Sequence, residues 1–232
     1  MNLRETIDAA RTFLKDPLPA TRTFPDDSSS FFEDTEMTRW YNLEQRSIQN
    51  HMIQADENWF VTSTSITTIS GQEEYTLPTD LVKIQRLEDY DNSSNPIEII
   101  PMSFNDKDRY NSRYPWENSS VSDADFYAIR GNSIVLRPRP NKAGTLKLYY
   151  SYRIPERVSA TSCSAIPDEY HELIMWGMVK KGLMKQESTP EAYSLAVTEY
   201  TRLLGDLRST SENRQSQKSR RVKRRRRGGI YG

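Results

Sequence analysis

The chain has 232 residues, 35% of them hydrophobic, with 32 basic and 32 acidic side chains and a formal net charge of zero. That length supports one substantial core or two small ones, and the average polarity excludes an integral membrane protein, since no apolar run approaches the roughly 20 residues of a membrane span. The neutral total hides a split. The last twenty residues carry nine positive charges (Arg214, Lys218, Arg220, Arg221, Lys223 and Arg224 to Arg227) and no acid, which leaves 23 basic against 32 acidic residues in 1–212. The body is near −9 and the tail +9. Like charges repel and the tail has too little apolar surface to offset its ordering, so it is expected to be disordered in the free protein and ordered by a partner.

Leu3 to Leu14 reads as a helix with Ile7, Ala10 or Arg11, and Leu14 on one stripe; Asp16-Pro17-Leu18-Pro19 ends it. Met1-Asn2-Leu3-Arg4-Glu5 lacks the basic start and apolar stretch of a secretory signal, so a cytoplasmic product is expected. A second helix opens at the capping-box spacing Ser30 to Glu33 and runs to about Ala55, with Met37, Trp40, Tyr41, Leu43, Ile48 and Met52 at roughly helical intervals.

From Trp59 to Tyr152 the pattern turns to short β-branched and aromatic runs: Phe60 to Ile69, Glu74 to Leu77, Leu81 to Leu87, Ile97 to Ile100, Phe126 to Arg130, Ser133 to Arg137 and Thr145 to Tyr152. Ser70-Gly71-Gln72 and Gly131-Asn132 read as tight reversals. The segment 101–125 has no clean period and is predicted to be a long loop, with one short helix near Phe104 to Tyr110. Helical spacing returns at Pro167, with Tyr170, Leu173, Ile174, Gly177 and Met184 on one face. A last helix opens at Ser188 to Glu191, buries Ala192, Ala196, Tyr200, Leu203 and Leu207, and ends near Arg208.

The predicted fold class is α+β: a helical bundle from the N- and C-terminal helices, with an inserted antiparallel β module and a disordered or partner-ordered basic tail. The predicted boundaries are 1–57 for the first helices, 58–153 for the β module, 164–210 for the last helices and 213–232 for the tail.

Catalytic signatures are not found. There is no glycine-rich phosphate loop, no Gly-x-Ser-x-Gly elbow and no His-Glu-x-x-His. Cys163 is the single cysteine and lies in a polar connector, so neither a disulfide nor a nucleophile is expected. His51 and His171 have no second ligand at zinc spacing, and His171, beside Glu169 and Glu172, reads as a solvated, cap-adjacent histidine. Asp89 with Asp91, Asp106 with Asp108, and Asp123 with Asp125 read as loop acids. The expectation is a non-enzyme without cofactor or metal.

The tail is the candidate site. Nine cations would release counterions from phosphates and bind nucleic acid in a salt-sensitive way. The ending Gly228-Gly229-Ile230-Tyr231-Gly232 favours another use, an anchor peptide whose Ile230 and Tyr231 enter a partner's groove while the arginines pair with its acidic rim.

Several segments, taken as a set, resemble the head-to-tail adaptor proteins of tailed bacteriophages, including the tail tubular protein A type of short-tailed phages. They are Tyr75 to Leu87 with its Leu77-Pro78-Thr79-Asp80, Phe126 to Pro140, Leu146 to Tyr152 and Ile166 to Tyr170. The resemblance spans about Ser30 to Leu207. It implies a virion component at the head–tail junction: a ring of copies, usually dodecameric, that binds the portal protein above and a nozzle or tail-tube protein below and extends the DNA channel. It also implies that the portal-binding tail comprises Arg220, Arg221, Lys223, Arg224, Arg225, Arg226, Arg227, Ile230 and Tyr231. DNA passing through the channel is the remaining partner, and an acidic wall would not retain it. The competing expectation is a nucleic-acid-binding protein that uses the Arg-rich C-terminus.

Overall fold

The structure, a computed structural model of the chain, describes residues 1–17, 23–26, 31–90, 96–106 and 125–216. It divides into two compact units, Met1–Asp56 with Val158–Gly232, and Glu57–Arg157.

The first unit holds four helices among its described residues: α1 (Leu3–Phe13), α2 (Asp34–Ala55), α3 (His171–Lys185) and α4 (Pro190–Ser216). A capping box starts α1, in which the Asn2 side chain accepts from the Glu5 N–H and the Glu5 carboxylate accepts from the Asn2 N–H. Its buried stripe, Leu3, Ile7, Ala10 and Leu14, follows the 3.6-residue period, and Arg11 joins it with no exposed surface. Apolar residues occupy most of the circumference of α3, with Leu173, Ile174, Met175, Met178 and Val179 all buried, because this helix packs against each of the other three. Two glycines allow the approach. A Cβ on Gly177 would lie 2.5 Å from Glu44 Cδ, and one on Gly182 would meet the Leu14 side chain.

Three helix-end expectations are corrected. Asp34 rather than Phe31 begins α2, and Glu33 stands at its N-cap without a side-chain cap bond; Ser30 lies outside the described residues. Pro190 opens α4, and the Ser188 hydroxyl bonds Gln186 at 3.3 Å instead of closing a box with Glu191. Far from ending near Arg208, α4 continues to Ser216, since no glycine or proline interrupts Ser209 to Ser216. Met184, expected on the buried face of α3, is 63% exposed one residue before its end.

The second unit is a single seven-stranded sheet: β1 (Val61–Thr68), β2 (Glu74–Thr76), β3 (Leu81–Asp89), β4 (Ile97–Pro101), β5 (Phe126–Arg130), β6 (Ser133–Arg137) and β7 (Gly144–Tyr152), in the order β1-β7-β3-β4-β5-β6-β2. The predicted fold class is thereby corrected. In place of a helical bundle carrying an inserted antiparallel module, the chain is α+β with a nearly closed, barrel-like sheet, mixed because β4 runs parallel to β5. Alternation marks a strand but not its neighbour, and a parallel pair needs a long crossover, for which the stretch between Pro101 and Phe126 has the length. Leu87, Ile99, Ile134, Leu136, Leu148 and Tyr150 form the core of this sheet. Gly131, at φ +58°, takes the first turn position between β5 and β6, the arrangement with glycine leading a two-residue hairpin.

Candidate functional site

The residues predicted as the site, Arg220 to Arg227 with Ile230 and Tyr231, lie outside the described residues, as does 107–124 of the predicted loop; Phe104–Asp106 is a single 3-10 turn. What the structure describes is the base from which the tail leaves, α4, and how that helix is held. Glu44 of α2 is the hub. Its carboxylate, 6% exposed, pairs with Lys181 Nζ of α3 at 2.8 Å and accepts from the Tyr200 hydroxyl of α4 at 3.2 Å. Burial, with the Glu44 charge and hydrogen bond added to it, pushes the Tyr200 phenol up to about 12, so it remains a donor at any physiological pH. Lys180 Nζ sits 4.0 Å from the centre of the Tyr200 ring, a cation–π contact on the same helix pair. Three helices are therefore tied at one buried carboxylate.

Arg11 ties the other end of this unit. It donates to Asp34 Oδ1 at 2.8 Å, to Asp16 Oδ2 at 2.7 Å and to the Phe32 carbonyl, joining the end of α1 to the start of α2. Such a buried ion pair with additional hydrogen bonds fixes geometry more than it adds net stability. His171, expected to be solvated, is 2% exposed: its Nε2 lies 2.9 Å from the Ile166 carbonyl and its Nδ1 3.4 Å from Asp168. Burial pulls its pKa below the usual value, against the raising effect of the Ile166 hydrogen bond.

In the β unit, β4 pairs with β3 only at Leu87–Asp89 and with β5 only at Ile100–Pro101, and the sheet opens between the first half of β3 and β5. The opening is a cleft of about 550 Å³ lined by Leu81, Val82, Ile84, Met102, Tyr127 and Ile129 among others. Its lining is mainly apolar, with Lys83 and Tyr127 as its titratable side chains and no carboxylate, histidine or thiol. Behind β2, Glu73 accepts from Arg137, which is buried, and from Arg139 Nε at 2.9 Å. Burial alone would raise the Glu73 carboxyl; the two guanidinium bonds outweigh it and hold the pKa below the usual range.

Among the described residues no three His, Cys, Asp or Glu side chains come together to hold a metal ion, and no helix is long and apolar enough to cross a membrane. Cys163 is exposed and unpaired with any other cysteine. Sequence reading missed the Glu44, Arg11 and His171 clusters. The one available signal was a charged residue standing on an otherwise apolar stripe, as Arg11 does between Ala10 and Leu14.

Among known protein families, a model described as SU10 adaptor protein matches residues 1–226. No curated protein matched the chain.

Proposed function

We propose that this chain, which belongs to the SU10 adaptor protein family of phage adaptors, is a structural virion protein that forms a ring between portal and tail and extends the DNA channel. The family is the coarse part of that statement; the ring, its dodecameric count, and the finer likeness to the tail tubular protein A type rest on the segments Tyr75 to Leu87, Phe126 to Pro140 and Leu146 to Tyr152. The observation that carries the reading is the family match over 1–226 together with the charge split, an acidic body near −9 and a tail of +9. In this reading Arg220 to Arg227 pair with acidic rims between portal subunits and Ile230 and Tyr231 fill the groove beyond them, while the acidic body repels outgoing DNA. The helix α4, running to Ser216 and clamped through Tyr200 to Glu44, supplies a rigid base for such a tail.

The test is to mix purified protein with portal rings of its own virion, as the full-length chain and as a chain truncated after Ser216, and to image the products by electron microscopy. Rings stacked on the portal only with the full-length chain are the expected result. Equal stacking by the truncated chain would remove the anchor role from the tail. Absence of stacking by both, with salt-sensitive binding of nucleic acid by the full-length chain, would favour the nucleic-acid reading.

A further inference from the structure

We propose that β1 is an open interaction edge and that its partner in the free protein is β1 of a second copy, paired antiparallel about a two-fold axis. This goes beyond the ring described above and does not depend on it, because a two-fold pair is isologous and cannot close a cyclic ring.

The strand register decides which backbone groups are free. Tyr152 N donates to Phe60 O at 3.0 Å, and the ladder runs unbroken from Val61 opposite Ser151 to Thr68 opposite Gly144. Even-numbered residues of β1 therefore exchange hydrogen bonds with β7, and odd-numbered residues point their N–H and C=O away from it. Ile69 follows the same rule. Its N–H donates to the Tyr75 hydroxyl at 3.0 Å and its carbonyl accepts from the same hydroxyl at 3.2 Å. One side chain thus closes the end of the edge. Ahead of it, the outward N–H and C=O groups of Val61, Ser63, Ser65 and Thr67 have no partner among the described residues, and all four residues are exposed.

Free edges are normally blunted by charge, proline, a bulge or brevity, because an open row of donors and acceptors recruits another strand. Val61-Thr-Ser-Thr-Ser-Ile-Thr-Thr68 has none of these: eight residues, six of them β-branched, no charge, no proline and no break in register. β2, at the other end of the sheet, is only three residues long.

A second β1 fits this edge in a register that leaves nothing over. Centred on Thr64, an antiparallel pair sets Val61 opposite Thr67 and Ser63 opposite Ser65, so each outward residue meets an outward residue and can exchange two hydrogen bonds with it. Thr64 then faces Thr64, and Thr62 faces Ile66, both favourable cross-strand pairs. Neutrality selects the occupant as well. A two-fold pairing sets a strand against its own kind, and an uncharged strand does this without opposing like charges, whereas a charged foreign peptide would find no counter-charge on β1.

The experiment is sedimentation of the full-length chain over a concentration series, with three double variants. Ser63→Pro with Ser65→Pro removes two outward donors per copy without touching the β1·β7 ladder, and should weaken the dimer on the order of a hundredfold or more. Ser63→Lys with Ser65→Lys places like charges opposite one another and should likewise give single protomers, as should Ser63→Glu with Ser65→Glu. Mixing the Lys and Glu variants should restore the dimer, a rescue that a merely misfolded strand would not show. If the proline variant fails to fold, the charge-swap pair decides the question alone. A wild-type chain that stays a single protomer at every concentration, or dimers and larger assemblies unaffected by the Lys variant, would overturn the proposal. Portal stacking, measured separately, is untouched by either result.

Discussion

Arg11 and Asp34 are both fully buried, and the cost of taking each charge out of water is offset by the other, by the bonds of Arg11 to Asp16 and Phe32, and by the Asp26 N–H that donates to Asp34 at 2.9 Å. Asp34→Ala removes one of the two carboxylates on the buried guanidinium and leaves Asp16, so it should cost about 1–3 kcal/mol in urea denaturation, whereas replacing both Arg11 and Asp34 with apolar residues of similar volume should be near neutral. His171 gives a pH dependence of definite sign. Its folded pKa lies below the unfolded value of about 6.5, so the unfolded chain binds the proton more readily. The stability held by the neutral imidazole is present above that value and is lost as pH falls through it toward the folded pKa. His51 is shifted in the same direction, by burial first and then by Arg208. Denaturation midpoints should therefore decline from neutral to mildly acidic pH, and His171→Gln should show a shallower decline than the wild type. Apart from the place of Arg11 on the apolar stripe of α1, none of this is legible in the sequence, because burial of a polar residue depends on what the other helices bring to it.

Among the elements, those with a strong local pattern matched the sequence reading well: α1 within a residue, the last residue of α2, and each of the seven strands within two residues at either end. Ends without such a signal moved, α4 most of all. No stop signal stands near Arg208 to end α4 there: Ser209 to Ser216 contains neither glycine nor proline, and the helix runs on through it. The close packing of α2 on α3 makes a further prediction. A methyl group on Gly177 would overlap Glu44, which Lys181 and Tyr200 hold in place, so Gly177→Ala should lose about 1–3 kcal/mol despite alanine's better helix propensity. The same exchange at Gly205, where a Cβ meets nothing within 4 Å, should instead be neutral or stabilising. Thermal unfolding of the two variants side by side checks the pair.

At the scale of the whole molecule, charge is the property with a functional consequence. Binding that consists of phosphate contacts loses affinity steeply with salt, with a slope close to one power of concentration per contact, whereas an anchor of Ile230 and Tyr231 in an apolar groove loses little. Portal association of the full-length chain is expected to persist at salt concentrations that release the same chain from nucleic acid. Titrating both complexes with salt in parallel measures this. A portal complex as salt-sensitive as the nucleic-acid complex would assign the partnership to the arginines alone.

By itself the sequence determined what is local: the strand and helix positions, the hairpin at Gly131-Asn132, the division of charge between body and tail, and the ordered segments whose resemblance to phage adaptors the family match bears out at the level of the adaptor. Period, turn chemistry and composition are properties of neighbouring residues, so they can be read from a string. Tertiary structure alone decided that β4 lies parallel to β5 in a nearly closed seven-stranded sheet, that Glu44 gathers three helices, that His171 is buried, and that one edge of β1 is left open. Each of these joins residues far apart in the chain. Alternation specifies which face of a strand is buried but leaves its neighbour unspecified, and a polar side chain carries no mark in sequence of the partner that will offset the cost of its burial.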